Sequence, residues 1–252
     1  MNISALIVAR NEQFKISECL KSLNFVDEIV VILDRSEDNT KKIAKKANAK
    51  IFSGKWEFEG DRRNFGINKC KGKWILEIDA DERVSKKLSK EIIDKIRDKE
   101  FDFYYVKLLN YIGSDPIKNG WMSCLAPDGK FLLFKKGSKI WKNQRVHPDF
   151  KLHGNKGTTL QNHVEHKMSK NVSELLLRFN RNTELKSLDL ITNNETYKKN
   201  FSFRKIFSRF LKSFLLRKGY KEGLLGFLVS ILNAIYPMVT GIKADFRKDL
   251  SH

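Results

Sequence analysis

The chain has 252 residues, 41% hydrophobic and 11% aromatic, enough to build a core and an argument against intrinsic disorder despite 31% charged residues. A formal charge of +19 points to a polyanion (nucleic acid, anionic lipid headgroups or a phosphorylated substrate), set against a plain lysine-rich bias. Cys19, Cys70 and Cys124 are odd in number, far apart and without metal-ligand spacing, so neither a disulfide framework nor a structural zinc site is indicated and a reducing compartment is favoured.

The opening MNISALIVARNE has no basic leader region or cleavage site; its apolar run reads as a first strand over 3–9, which favours a cytoplasmic location. EQFKISECLKSL, residues 12–23, sets Phe14, Ile16, Leu20 and Leu23 at helical spacing. VDEIVVIL is strand-like over 26–33 and ends at Asp34. Residues 37–49 read as a helix with Asp38 or Asn39 as N-cap, 50–52 as a short strand, and 60–71 as a helix. A strand over 73–78 precedes a helix over 85–99 capped by Ser85, and 101–109 alternates as a strand. This order predicts an α/β fold whose mostly parallel sheet is covered by helices on both faces, with ligands at the carboxyl ends of the strands. Those ends carry ARNE, DRSED and DADE. From 110 to 165 the pattern loosens into an antiparallel extension, with FLLFKK and KIWKNQRVHPDF as its clearest strands, and 172–192 returns to helix.

Asp79 and Asp81, one residue apart where a strand ends, suit a magnesium or manganese ion that keeps several waters and bridges a diphosphate. On spacing alone a solvated turn ahead of the helix that starts near Ser85 is the favoured reading, because D-x-D is only a three-residue pattern. No glycine-rich phosphate loop follows any strand.

The ordered set ARNE, VDEIVVILDRSEDNT, GDRRNFG and IDADE, extended by FLKSFLLRKGYKEGLLGFLVSILNAIY, resembles glycosyltransferase family 2 with the GT-A fold, in its lipopolysaccharide-core β-glucosyltransferase-like subgroup. The resemblance implies a Rossmann-like mixed sheet and a D-x-D motif, Asp79 and Asp81, that coordinates a divalent cation (Mn2+ or Mg2+) on a nucleotide-sugar diphosphate. It further implies nucleotide contacts from Ala9, Arg10, Glu12, Asp34, Arg63, Asn64 and Asp79, with uridine as the expected base. Common members carry an aspartate where this chain has Leu33; here the carboxylate comes one residue later, at Asp34. In NQRVHPDF, His147 matches a histidine of the subgroup, and Pro148 stands where many relatives have glutamate. Asp149 is the first candidate for the general base of an inverting transfer and His147 the second; a lone histidine beside proline also serves as a structural hydrogen-bonder. His166 falls on another histidine of the subgroup.

The tail separates from the 1–195 catalytic domain as a basic amphipathic region, 196–252. Phe207, Phe210 and Phe214 share one helix face among Arg204, Lys205, Arg209, Lys212, Arg217 and Lys218, the pattern of an interfacial helix on anionic lipid. The uncharged stretch Leu224–Ile242 is interrupted by Gly226, Asn233, Pro237 and Gly241, which favours in-plane immersion or a re-entrant hairpin over a span, with packing onto the domain as the third reading. The expected partners are therefore a UDP-sugar donor, a lipid-linked glycan acceptor and the anionic inner face of the cytoplasmic membrane, with no nucleic acid. The competing readings are a non-enzymatic basic protein that binds membrane or nucleic acid, and an inactive relative of the transferases.

Overall fold

The structure is a computed structural model that describes residues 2–193 and 202–249. It divides into two compact units. Of the described residues, the first holds 2–108, 129–144 and 148–167; the second holds 109–128, 145–147, 168–193 and 202–249. The expected boundary between 195 and 196 lies outside the described residues.

In the first unit, β1 (Ile3–Ala9), β2 (Glu28–Asp34), β3 (Lys50–Gly54) and β4 (Trp74–Asp79) are parallel, in the order β3-β2-β1-β4. All seven residues of β1 are buried, as a central parallel strand requires, which is why ISALIVA is apolar without alternation. The sheet continues through β8 (Gly129–Lys135), β6 (Phe103–Ile112), β11 (His163–Ser169) and β5 (Glu82–Val84). Antiparallel pairing begins at β4 and β8, with Trp74 opposite Lys135 and Leu76 opposite Leu133. β9 (Lys139–Trp141) and β10 (Phe150–Leu152) form a separate antiparallel pair.

The helices of this unit are α1 (Ile16–Ser22), α2 (Thr40–Lys46), α3 (Glu59–Lys69) and α4 (Lys86–Lys95). Ser85 caps α4 as expected, its Oγ accepting from the Leu88 amide. Two helices start later than their apolar pattern. Amides of residues 11–13 donate to Ser36, Thr40 and Asp38, so α1 begins only at Ile16. Asp38 accepts from both the amide and the hydroxyl of Thr40, which closes a turn and starts α2 there. Gly60 brings the first turn of α3 against β9, since a Cβ would lie 1.9 Å from the Lys142 carbonyl oxygen.

The second unit is built on α5 (Val172–Thr192), α6 (Phe203–Leu211) and α7 (Gly223–Asp249), with β7 (Asp115–Ile117) paired to the end of β6. Asn171 caps α5 by accepting from the Glu174 amide, while Glu174 accepts in return from the Lys170 amide. The core of the unit includes Trp121, Leu125, Leu175, Phe179, Val229, Leu232 and Tyr236.

Of the three readings for the tail, packing onto the protein is the one that describes the inner face of α7. Asn233, the polar residue that reads as a break, is buried and bonded. Asn233 Nδ2 donates to the Gly120 carbonyl and to Ser213 Oγ, and Ser230 Oγ pairs with Ser213 Oγ. Pro237 has no N–H for the Asn233 carbonyl one turn earlier, and Arg209 Nε of α6 donates to that carbonyl at 3.1 Å instead. Gly219–Arg247 is a helical stretch long and apolar enough to cross a membrane by length and composition, with half of its apolar 18-residue window buried inside the protein.

Candidate active site

Strands β1, β2 and β4 end side by side at Ala9, Asp34 and Asp79, so the loops after them share one edge of the sheet. The first two loops are laced together. Asn11 donates its amide to Ser36 Oγ and accepts from the Glu37 amide, and Gln13 pairs with Asp38 and Asn39. Arg10 and Asn11 remain exposed, Asn11 at a φ of 56°, and Glu12 is fixed by its amide on Thr40 Oγ1. Asp34 is buried, accepting from the Trp56 amide at 3.2 Å and from Arg62 Nη1 at 3.1 Å. Leu33 points into the core.

Beside this edge lies a charged network around Arg63. Its guanidinium donates to Glu59, to Glu77 at 2.8 Å and to Asp79 at 3.1 Å, and sits over the Trp141 ring. Burial works against that charge, but the three carboxylates more than offset it and raise its pKa well above the usual value. Asn64, one residue on, exchanges two hydrogen bonds with the Trp141 backbone and so pins β9 to α3. Both residues of the expected nucleotide-binding pair are thus engaged with protein groups.

Asp79 receives a second cation. Lys130 Nζ of β8 lies 2.5 Å from Asp79 Oδ2 and 2.6 Å from Glu82 Oε1. Burial alone would push the Asp79 acid up; Lys130 and Arg63 together hold it well below the usual carboxylate range. Glu82, fully buried, is pushed up by desolvation. Asp81 is 6% exposed, with His166 Nε2 3.5 Å from its Oδ2 and the Lys167 amide donating to its carbonyl. Lys139 Nζ donates to Glu77 at 2.8 Å and lies 3.9 Å from the Trp141 ring centroid.

Among the described residues, no group of three or more His, Cys, Asp or Glu is arranged to hold a metal by itself. The chemistry of the donor set nevertheless fits a divalent cation. Glu59, Glu77, Asp79, Asp81 and Glu82 bring five carboxylates together, with Arg63, Lys130 and Lys139 bonded to four of them and His166 beside Asp81. Asp79 and Asp81 are hard oxygen donors of the type that holds magnesium or manganese through one or two carboxylates plus phosphate and water.

The two candidate bases fall in different units. Asp149 belongs to the first, with its side chain 67% exposed and Lys142 Nζ at 3.7 Å. His147 belongs to the second. It is exposed, adopts a φ of 48°, and has Nε2 3.3 Å from Asn182 Nδ2, a pairing in which the ring accepts and carries its proton on Nδ1. Arg145 anchors the same short segment on buried Asp189 of α5 through its amide and guanidinium.

Sequence reasoning missed Lys130, Lys139, Glu59 and Glu77 in the network, and Asn182 and Asp189 beneath His147. Asn182 and Asp189 are seven residues apart on α5, a helical repeat that their polar identity disguised as surface. The cations facing Asp79 become visible only when β8 is set against β4: that antiparallel register, extended by three residues, puts Lys130 opposite Asp79.

Residues 4–150 match the sequence profile of Glycosyl transferase family 2. An uncharacterized glycosyltransferase of Rickettsia felis is 40% identical over 91 residues, 36% of this chain and 32% of that protein. The matched segment therefore spans about a third of the length of the rickettsial relatives. The lipopolysaccharide core biosynthesis glycosyltransferase LpsC of Rhizobium meliloti is 24% identical over 253 residues, covering 96% of this chain and 91% of LpsC. Among solved structures, residues 1–349 of S. aureus TarS in complex with UDP-GlcNAc superpose with a TM-score of 0.52 at 12% identity, over 99% of this chain and 92% of that one. With the sheet order and the acidic carboxyl edge, these likenesses lead to one conclusion: the chain belongs to glycosyl transferase family 2 and has a GT-A fold.

Proposed function

We propose that this chain is an inverting hexosyltransferase that takes a sugar from a nucleoside-diphospho-sugar, a UDP-hexose, and passes it to a lipid-linked glycan such as lipopolysaccharide core at the inner face of the cytoplasmic membrane. The observation that carries the reading is the carboxylate cluster around Asp79 and Asp81 at the carboxyl edge of the sheet. TarS, whose fold this chain shares, is known in complex with UDP and with UDP-GlcNAc, which supports a uridine donor. The near full-length likeness to LpsC supports a lipopolysaccharide acceptor.

Asp79 and Asp81 would hold the divalent cation, which when bound neutralises the charge that builds on the departing diphosphate. Lys130 and Arg63 keep the Asp79 carboxylate ionised and oriented for that task. The first two loops, cross-linked through Asn11 and Gln13, form a rigid wall for the nucleoside, with Ala9, Arg10, Glu12 and Asp34 beside it. The acceptor hydroxyl attacks the anomeric carbon as the bond to the diphosphate oxygen breaks, and a base takes its proton. Asp149, solvent-accessible and acceptor-only when ionised, suits that role, with His147 second.

The test is thermal stabilisation of the protein by UDP, GDP, CDP and TDP, with and without manganese, in wild type and Asp81→Ala. Stabilisation by UDP that needs manganese and disappears in the variant is expected; no shift with any nucleotide sinks the donor site.

A further inference from the structure

The second unit exposes more apolar surface than a free helical unit needs to. On α6, Phe203 is 78% and Phe207 63% exposed, and after it Leu216 is 78% and Leu224 89% exposed. On α7, residues 224, 227, 231, 235, 238, 242 and 246 recur three or four apart and so share one face. All seven are apolar, and none is fully buried. Its opposite face carries Val229, Leu232 and Asn233 into the core of the unit. The outer stripe thus runs the length of a 27-residue helix, about 40 Å at the α-helical rise. Phe227 joins it to α6, packing edge-on against both Phe210 and Phe214.

The charge around this surface says what covers it. Residues 202–221 carry seven Lys and Arg and no Asp or Glu. Arg209 is used inside the unit, and Arg217 donates to the Trp121 carbonyl. Arg204, Lys205, Lys212, Lys218 and Lys221 are exposed beside the apolar residues. A second copy docked on the same face would set these cations against their own kind; an anionic lipid surface pairs them with phosphates while acyl chains accept the phenylalanines.

We propose that the outer face of α6 and α7 is a membrane-docking surface: α7 lies in the plane of an anionic bilayer with its stripe at the acyl boundary, Phe203, Phe207 and Leu224 insert, and the basic rim binds lipid phosphate. The proposal rests on the reading of a membrane-borne acceptor and names the surface that reaches it. It also separates α7 from a transmembrane span, because the face opposite the stripe is committed to protein.

The test is co-sedimentation of the full chain with vesicles of phosphatidylcholine alone and with phosphatidylglycerol added, for wild type, Phe203→Ser/Phe207→Ser, Leu224→Ser, and Lys205→Glu/Lys212→Glu. Binding that requires phosphatidylglycerol, weakens with salt, and falls roughly tenfold or more in each variant is expected. A Phe207→Trp reporter should shift its emission to the blue on binding and be quenched by brominated lipid. Stabilisation by UDP and manganese, measured without vesicles, checks that each variant is folded and reports on the donor site separately. Equal binding of wild type and variants overturns the proposal, as does binding indifferent to lipid charge. So does sedimentation as a dimer that the serine variants dissociate, which would assign the face to a second copy.

Discussion

Lys130 Nζ sits between Asp79 and Glu82, 2.5 Å from the one carboxylate and 2.6 Å from the other. Its charge is raised in stability by both, against the pull of burial. Asp79 is thus an anion held ready between Lys130 and Arg63 at the end of a buried strand.

Removing this lysine should expose the cost of the cluster. Lys130→Met removes one of the two cations bonded to Asp79 and the lysine bonded to Glu82. Breaking a buried pair in this way costs on the order of 3–5 kcal/mol. Because the variant cluster has lost one of its cations, manganese should stabilise the variant more than it stabilises wild type. Thermal melts across a manganese titration measure this; a variant less stabilised by the metal than wild type contradicts the assignment of Asp79 as a ligand.

Lys139 gives a pH signature. Burial pushes its ammonium down to about 8, with Glu77 opposing that shift in part. The ordinary value is 10.5, so between pH 8 and 10.5 the unfolded chain binds the proton that the folded chain has lost. Stability contributed at this site therefore rises with pH across that window, by on the order of 3 kcal/mol in total. Lys139→Met removes the titration, so the difference in unfolding free energy between wild type and variant should change with that slope from pH 7 to 10.5. A difference that stays flat refutes the shifted lysine.

Asn233 tests whether α7 is bound by its polar residues. Its amide donates to the Gly120 carbonyl and to Ser213 Oγ, both buried. Asn233→Leu strips those partners of a donor and should destabilise the protein by about 1–3 kcal/mol, although leucine is the more apolar residue. A leucine variant at least as stable as wild type in urea melts would show that the polar contacts hold nothing.

These residues also mark what a sequence can and cannot disclose. β1 and the Ser85 cap depend on neighbours in the chain, and both stand where local pattern put them. So does α5, which runs over the expected 172–192. The parallel pairing of the first four strands followed from their alternation with helices, while their order in the sheet did not. The pairing of Lys130 with Asp79 spans 51 positions and depends on a strand register that no local pattern encodes. Asn233 was misleading for a related reason: it looks like an interruption of an apolar run until Gly120 and Ser213 are seen opposite it.

The general base can be assigned by separating geometry from chemistry at His147. Its φ of 48° lies in a region that non-glycine residues enter at a cost, and the following Pro148 restricts the backbone further. Asparagine tolerates this conformation better than alanine does, so His147→Asn removes the imidazole while keeping the turn. If Asp149 is the base, Asp149→Asn should lower kcat by about 10²- to 10⁴-fold, and His147→Asn should cost far less. The acid limb of the kcat profile should then vanish in the aspartate variant and persist in the histidine variant. The reverse pattern would transfer the role to His147, and Asp189→Asn, which loosens the Arg145 anchor of that segment, should then lower kcat as well.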